Sequence, residues 1–307
     1  MGMDTVLAGG VGAARFLQGL VQVVDPGSIN VISNVADDVE MFGLHVSPDT
    51  DIVIYSLAGV VNQEVGWGLK GDTFVVADSL HRFGYERWFN LGDRDLATAV
   101  HRTRLLREGR PMHEVVSELA EAFGILSTIL PATNERVATH LLTNEGELAF
   151  QDYMVRLATA PDVTGVRFAG VEQATPAPGV LEAIRDSDRI IIAPSNPFVS
   201  IGPILAVPGV LKAVTSSRAL RIALSPIVGG QAIKGPAAKM LASLGHEVSA
   251  LGVATIYRDF IDVMVIDEVD RHLAPEVEAL GLACAVTDTM MTSPERKASL
   301  ATFLTSL

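Results

Sequence analysis

The chain has 307 residues, 49% of them hydrophobic and 19% charged, which is enough apolar material for a large core in one or two domains. Lys and Arg number 23 against 36 Asp and Glu, a net charge of −13, and this excludes a general nucleic-acid binder, which needs a basic footprint. The lone cysteine, Cys284, excludes a disulfide framework within the chain and reads as a small buried hydrophobe in the apolar run Leu282–Val286.

The first element is a short apolar run from Thr5 that ends in Gly9, Gly10 and Gly12. Phe16, Leu17, Leu20 and Val24 then recur at helical spacing, so a helix is predicted over about residues 13–24. Strand, glycine turn and helix together present backbone N–H groups and a positive helix end to an anion. The turn departs from the dinucleotide fingerprint, because Arg15 stands where a third small residue belongs. The alternative is a tight connection with no ligand.

Residues 29–35 form the second predicted strand, with Asp37 and Asp38 at its carboxyl end, where open parallel sheets gather their ligands. Asp49 and Asp51 follow, and either can cap a helix predicted over residues 52–61. Four aspartates so close to a phosphate cradle suggest Mg²⁺, a hard cation that bridges carboxylates and phosphate. Gly66-Trp67-Gly68 places a large ring between two glycines, either to stack on a planar ligand or to anchor the loop.

Helices are predicted over 74–83, 95–107 and 112–123, with Asp95 as the N-cap of the middle one and Asp93, Arg94 and Thr98 beside it. Residues 131–153 read as strand, turn, strand. Together, 73–156 read as a helical plus β-hairpin insertion that caps the strand ends of a single domain over 1–307.

The α/β pattern resumes with a strand over 166–171 and a helix over 179–185. The buried strand Arg189–Ala193 runs into Pro194, Ser195 and Asn196, and Arg221–Leu224 runs into Ser225 and a glycine loop that carries Lys234. Lys234 is well placed for a phosphate; its alternative is a solvated surface lysine. The remaining elements are predicted over 237–244, 261–266, 282–286 and after Ser293. The fold expected is α/β, a Rossmann-like, mostly parallel sheet flanked by helices. No zinc spacing, hydrolase elbow, basic leader or clean membrane-spanning run is visible, so a cytoplasmic protein without membrane contact is expected.

Several blocks together resemble the 2-phospho-L-lactate transferases of coenzyme F420 biosynthesis (the CofD/FbiA type). They are Leu7–Phe16, Asn34–Asp38 with Pro48–Asp51, Gly66–Gly68, Leu91–Thr98, Leu130–Thr133, Ala193–Pro197 with Ser200–Leu205, Ser225–Ile227, and Asp288-Thr289 with Met291. They occur in family order across nearly the whole chain. The resemblance implies that the ribityl hydroxyl of the deazaflavin Fo attacks the phosphorus bearing a three-carbon acid in a guanosine diphosphate-linked donor. GMP leaves, and F420-0 or its dehydro form results.

It further implies that the amides of Gly9, Gly10, Gly12 and Ala13, with Arg15 and Lys234, hold the diphosphate. Asp37 with Asp49 or Asp51 would hold Mg²⁺, with Asp37 and Asp51 the catalytic pair. Asp38, Ser195, Asn196 and Ser225 would contact the nucleotide, and Trp67 and Thr98 the Fo side. A homodimer is the family expectation. Two alternatives remain. A nucleotide-sugar-binding regulator of the gluconeogenesis-factor (YvcK-like) type shares the glycine turn and acidic pair but not the Leu91–Thr98 block. An NAD-dependent oxidoreductase rests on the glycine turn alone.

Overall fold

The computed structural model describes residues 2–307. The N-terminal third of the chain supplies two strands of the central sheet. Strand β1 (Asp4–Ala8) leads through the glycine turn into α1 (Gly10–Leu20), and β2 (Ile29–Ser33) lies parallel beside β1. A small hairpin, β3 (Val39–Met41) and β4 (Leu44–Val46), then folds the acidic loop back and delivers the chain to α2 (Pro48–Leu57). Helix α2 begins earlier than expected, with Ser47 at the N-cap position and Pro48 first inside, where its missing N–H costs nothing. Asp49 and Asp51 therefore lie inside the first turn, not before it.

Helices α3 (Val75–Arg82), α4 (Asp93–Arg107) and α5 (Met112–Ala122) follow close to their predicted places. The N-cap of α4 is Gly92, not Asp95, whose side chain instead reaches back to the Gly92 N–H at 3.3 Å. Two other aspartates exchange caps between helices. Asp72, before α3, accepts from the first amides of α4, Arg94 and Asp95, while Asp93, at the start of α4, accepts from the first amides of α3, Val75 and Val76. Carboxylates at these positive helix ends satisfy donors that have no partner inside the helix. Asp93→Ala is expected to speed hydrogen exchange several-fold in the first turn of α3 while leaving the middle of α4 unchanged.

Strand β5 (Thr128–Pro131) pairs with β2 and is the edge of the central sheet. The segment 73–156, expected as one insertion, is thus divided by a strand of the core. Strands β6 (Ala138–Thr143) and β7 (Gly146–Ala149) form the predicted hairpin, shorter than expected. Their third partner is β8 (Val163–Ala169), antiparallel to β6. This corrects the expectation that a strand at 166–171 belongs to the parallel sheet. An alternating strand fits either sheet, and pairing partners far apart in sequence decide between them.

The second half runs through α6 (Val180–Arg185), β9 (Arg189–Ile192), α7 (Gly202–Ala206), α8 (Val210–Ser216) and β10 (Leu220–Leu224). A two-residue ribbon, β11 (Ile227–Val228) and β12 (Gln231–Ala232), precedes α9 (Ala237–Ser243) and α10 (Ala250–Tyr257). The chain closes with β13 (Val263–Asp267), α11 (Ala274–Ala279), β14 (Ala283–Thr287) and α12 (Pro294–Thr305).

The central sheet has the order β14-β13-β10-β9-β1-β2-β5, and every neighbouring pair is parallel. The Rossmann-like α/β architecture expected from the sequence is therefore the observed one. Strand residues divide by alternation. Val6, Val31, Ile191 and Val265 face a core with α1, α2, α5 and α12, while Leu7, Ile32, Ile192 and Met264 face a second core with α6 to α11. Successive connections leave β1 in opposite directions, so the sheet opens a crevice between the carboxyl ends of β1 and β9. Among the described residues, no single helix is long and apolar enough to cross a membrane.

Candidate active site

A cavity of about 640 Å³ opens at that switch point. Its floor is the glycine turn after β1 and the Pro194–Ser195–Asn196 loop after β9. Gly10 has φ +71°, a conformation that glycine adopts without strain. Gly12 is glycine for a different reason: a Cβ there would overlap the Pro194 carbonyl oxygen. The two loops can meet only because this position has no side chain. Gly9 is equally confined, since a Cβ would lie 2.8 Å from both the Asp49 carboxylate and the Ser200 side chain.

The start of α1 leaves its first amides without intrahelical partners. Arg15 lines the cavity one turn further on, and Lys234 arrives from the loop before α9. A Cβ on Gly66 would lie 3.0 Å from Lys234 Nζ and 3.5 Å from Arg15 Nη2, so both cations converge on one point of the wall. Lys234 Nζ donates to the Val65 carbonyl at 2.6 Å. Burial, and then the Arg15 charge, lower the Lys234 pKa. Among the described residues, neither cation has a carboxylate partner. Two adjacent cations beside a helix N-terminus make an anion site, next to which Asp49 takes the Gly10 N–H. Ala13 is buried in α1 and offers the cavity no side chain.

The acidic wall divides the expected aspartates. Asp37 is buried, and among the described residues its Oδ1 has no hydrogen-bond partner. Burial, followed by the charge of Asp49, raises Asp37 well above the ordinary carboxylate range. Asp49 is pushed up to about 6, again by burial, against a hydrogen bond from Asn34. Asn34 Nδ2 donates to Asp49 Oδ2 at 2.9 Å and to the Val199 carbonyl at 3.2 Å, which ties the end of β2 to the acidic pair. Two close, buried carboxylates with an open oxygen fit a divalent cation. Among the described residues, no cluster of three or more His, Cys, Asp or Glu ligands forms, so phosphate and water would complete its shell.

Asp51 is committed elsewhere. Both its oxygens accept from the guanidinium of Arg102 on α4, which is 0% exposed. Burial alone would lower Arg102, but the charge and hydrogen bonds of Asp51 outweigh it and hold the guanidinium above its ordinary value. Asp38 commits one oxygen, Oδ2, to His45 Nε2 at 2.7 Å and to the Ser47 hydroxyl, while among the described residues its buried Oδ1 has no partner, as with Asp37 Oδ1.

Of the other expected contacts, Trp67 lines the cavity and is 39% exposed. Thr98 is buried and bonds Tyr55 Oη at 2.9 Å. Ser195 donates to the Gly9 carbonyl at 2.7 Å, Asn196 Oδ1 caps the turn at Phe198 and Val199, and Ser225 closes a turn on Ile227. Ser195 and Asn196 still line the cavity, whereas Thr98 and Ser225 shape it from behind. Sequence reasoning passed over Tyr55, Asp95 and Gln151, all of them cavity-lining. Gln151 Nε2 donates to the Asp37 carbonyl at 3.0 Å, so the antiparallel sheet braces the acidic loop. The sequence signals for Asp95 were its place at a helix start and its membership of the Leu91–Thr98 block, neither of which assigned it a role in the site.

The CofD family profile, described as 2-phospho-L-lactate transferase CofD, matches residues 5–295. The chain belongs to the CofD family. It is similar to the 2-phospho-L-lactate transferase of Methanothermobacter thermautotrophicus, with 42% identity over 98% of this chain and 97% of that protein. It is also similar to the phosphoenolpyruvate transferase of Streptomyces griseus, with 43% identity over 96% of this chain and 95% of that protein. Among solved structures, a UPF0052 family protein from Bacillus halodurans superposes with a TM-score of 0.61 over 94% of this chain and 93% of that one. At 17% identity, that likeness shows the shared fold. This CofD family member is thus a transferase of F420 biosynthesis, as the sequence blocks led us to expect.

Proposed function

We propose that the protein transfers a phospho-three-carbon-acid group, of the 2-phospholactate or phosphoenolpyruvate type, from a guanosine diphosphate-linked donor to the ribityl hydroxyl of Fo. GMP is released. The observation that carries this reading is the convergence of Arg15 and Lys234 on the wall at Gly66, in the cavity whose floor is the glycine turn with the Asp37–Asp49 pair beside it. Membership of the CofD family supports the substrate classes.

In this reading the α1 amides, Arg15 and Lys234 bind and orient the donor diphosphate. Phosphoryl transfer depends chiefly on such positioning and on neutralised charge. Asp37 and Asp49 would hold Mg²⁺, which supplies electrostatic stabilisation of the charge that develops on the transferring group. Asn34 keeps Asp49 in place. Tyr55, Trp67, Phe89 and Met154 give the cavity an aromatic and apolar wall for the deazaflavin. The proposal extends to a cytoplasmic homodimer, for which sedimentation of the purified protein is the check.

The deciding experiment is titration with Fo, read by deazaflavin fluorescence, followed by product formation with each donor and Mg²⁺. Saturable Fo binding and formation of F420-0 or its dehydro form are expected. No Fo binding, with a UDP-sugar bound tightly, would overturn the reading in favour of a regulator. Lys234→Met is expected to weaken GDP binding about 10- to 100-fold, the range of a lost charge-assisted hydrogen bond, as measured by calorimetry.

A further inference from the structure

The transfer requires a group that removes the proton from the attacking hydroxyl. Four carboxylates line the cavity: Asp37, Asp49, Asp51 and Asp95. Asp37 and Asp49 form the close pair at the glycine turn, and Asp51 is locked in its ion pair with Arg102. Among the described residues, Asp95 alone of the four has neither a cationic partner nor a neighbouring carboxylate in hydrogen-bond reach. Its Oδ2 accepts from the Gly92 N–H, and the carboxylate faces the turn at Gly68, where a Cβ would be 3.5 Å away.

Gly68 also fixes where Asp95 stands relative to the anion site. Gly66, two residues earlier, carries Lys234 Nζ and Arg15 Nη2 at its back. Two residues span at most about 7 Å, so the Asp95 carboxylate lies one short loop away from the cations that would hold the donor phosphates. Trp67 occupies the loop between them and lines the same cavity.

We propose that Asp95 is the general base of the transfer. The inference rests on the transferase reading above. The Asp95 carboxylate accepts the proton of the acceptor hydroxyl as its oxygen forms the new bond to phosphorus. The bond from phosphorus to the bridging oxygen breaks, and GMP leaves with that electron pair. The proton on Asp95 then passes to solvent.

The surroundings suit this task. Burial pushes Asp95 up to about 6, against the Gly92 hydrogen bond, and the charges of Asp51 on α2 and Asp72 before α3 push in the same direction. Tyr55 opposes them weakly. A base poised just below neutral pH is ionised at working pH and still basic enough to take a proton. Because its pKa is raised, the active carboxylate form is lost as the pH falls through about 6.

The test is Asp95→Asn in the full chain, with Fo and the guanosine diphosphate-linked lactate and enolpyruvate donors. The asparagine oxygen can still accept from Gly92 N–H, so the helix start keeps its cap. At pH 8, kcat is expected to fall 10²- to 10⁴-fold while the Fo dissociation constant stays within threefold. With saturating Mg²⁺, which would hold Asp49 ionised although it too is pushed up to about 6, the wild-type profile of kcat is expected to show an acid limb near pH 6 that is absent in the asparagine variant, and Asp95→Glu is expected to restore part of the rate. A kcat within tenfold of wild type, an acid limb that persists in Asp95→Asn, or Fo binding lost in step with kcat would each overturn the proposal. Wild-type protein that makes no product from either donor overturns the transferase reading, whereas an active Asp95→Asn overturns the base assignment alone.

Discussion

Arg102→Met is expected to lower folding stability by about 3–5 kcal/mol, the cost of leaving a buried charge without its partner. Arg102 is wholly enclosed and joins α4 to the first turn of α2 through Asp51 and to the hairpin through the His45 carbonyl at 3.3 Å. With the guanidinium gone, Asp51 faces Asp38 and the buried Tyr55 with only the lesser contribution of His45 to offset them. The measurement is chemical denaturation. The double variant Asp51→Leu with Arg102→Met separates two explanations: recovery of most of the loss means the orphaned charge was the cause. No recovery would place the cost in the packing of the arginine stem. A single variant that loses less than about 1.5 kcal/mol, the upper range of an ordinary hydrogen bond, would contradict the assignment of Arg102 as a structural keystone.

Gly12→Ala is expected to cost about 3 kcal/mol, at the upper end of the usual penalty for adding one carbon to a closed interior. The added Cβ would overlap the Pro194 carbonyl oxygen, which is backbone and cannot rotate aside. The start of α1 and the loop after β9 must part, and together they are the floor of the cavity. Transfer activity should fall at least 100-fold with it, because misplacement by about 1 Å carries that penalty. Gly10 provides the contrast. Its Cβ would have room, with Asp49 Oδ1 at 3.9 Å, and the obstacle is φ +71° alone. Gly10→Asn should therefore be milder than Gly10→Ala, since asparagine enters that region more readily. At Gly12 alanine and asparagine should be equally harmful. The pattern across the four variants, read by thermal unfolding and product formation, distinguishes a packing requirement from a backbone one.

The glycine turn, the positions of β1, β2, β9, β10, β13 and β14 and the three helices before β5 were legible because each is written in local periodicity. Other features were written in contacts between distant residues. Arg102 meets Asp51 across 51 positions, and nothing in the Pro48–Asp51 stretch announces an arginine. That is why Asp51 read as a metal ligand or a cap. Asp95 read as an N-cap because its residue type fits that position, but Gly92 takes it, and Asp95 reaches back to the Gly92 N–H with one oxygen while lining the cavity. Strand β8 alternates as an edge strand of either sheet would. Helix α10 went unread because Ala250–Tyr257 is apolar almost all round, as befits an element packed on several sides, and such a run has no polar face to betray a period. Ser195, Asn196 and Ser225 stood at strand ends as expected, yet their side chains spend their hydrogen bonds on the loops that hold the crevice open.

The meeting of α1 with α12 has a consequence for how the protein is made. Gly19 is glycine because the Lys297 carbonyl presses against α1, and Lys297 Nζ reaches Gln18 Oε1, 279 residues earlier in the chain. Ribosomes add about 5–20 residues per second, so the face of α1 that receives α12 stays uncovered for roughly 14–56 seconds after it emerges. The helix that presents the phosphate cradle is thus among the first parts translated and among the last to be enclosed. Nascent chains released before α12 is complete keep that apolar strip open to water and to one another.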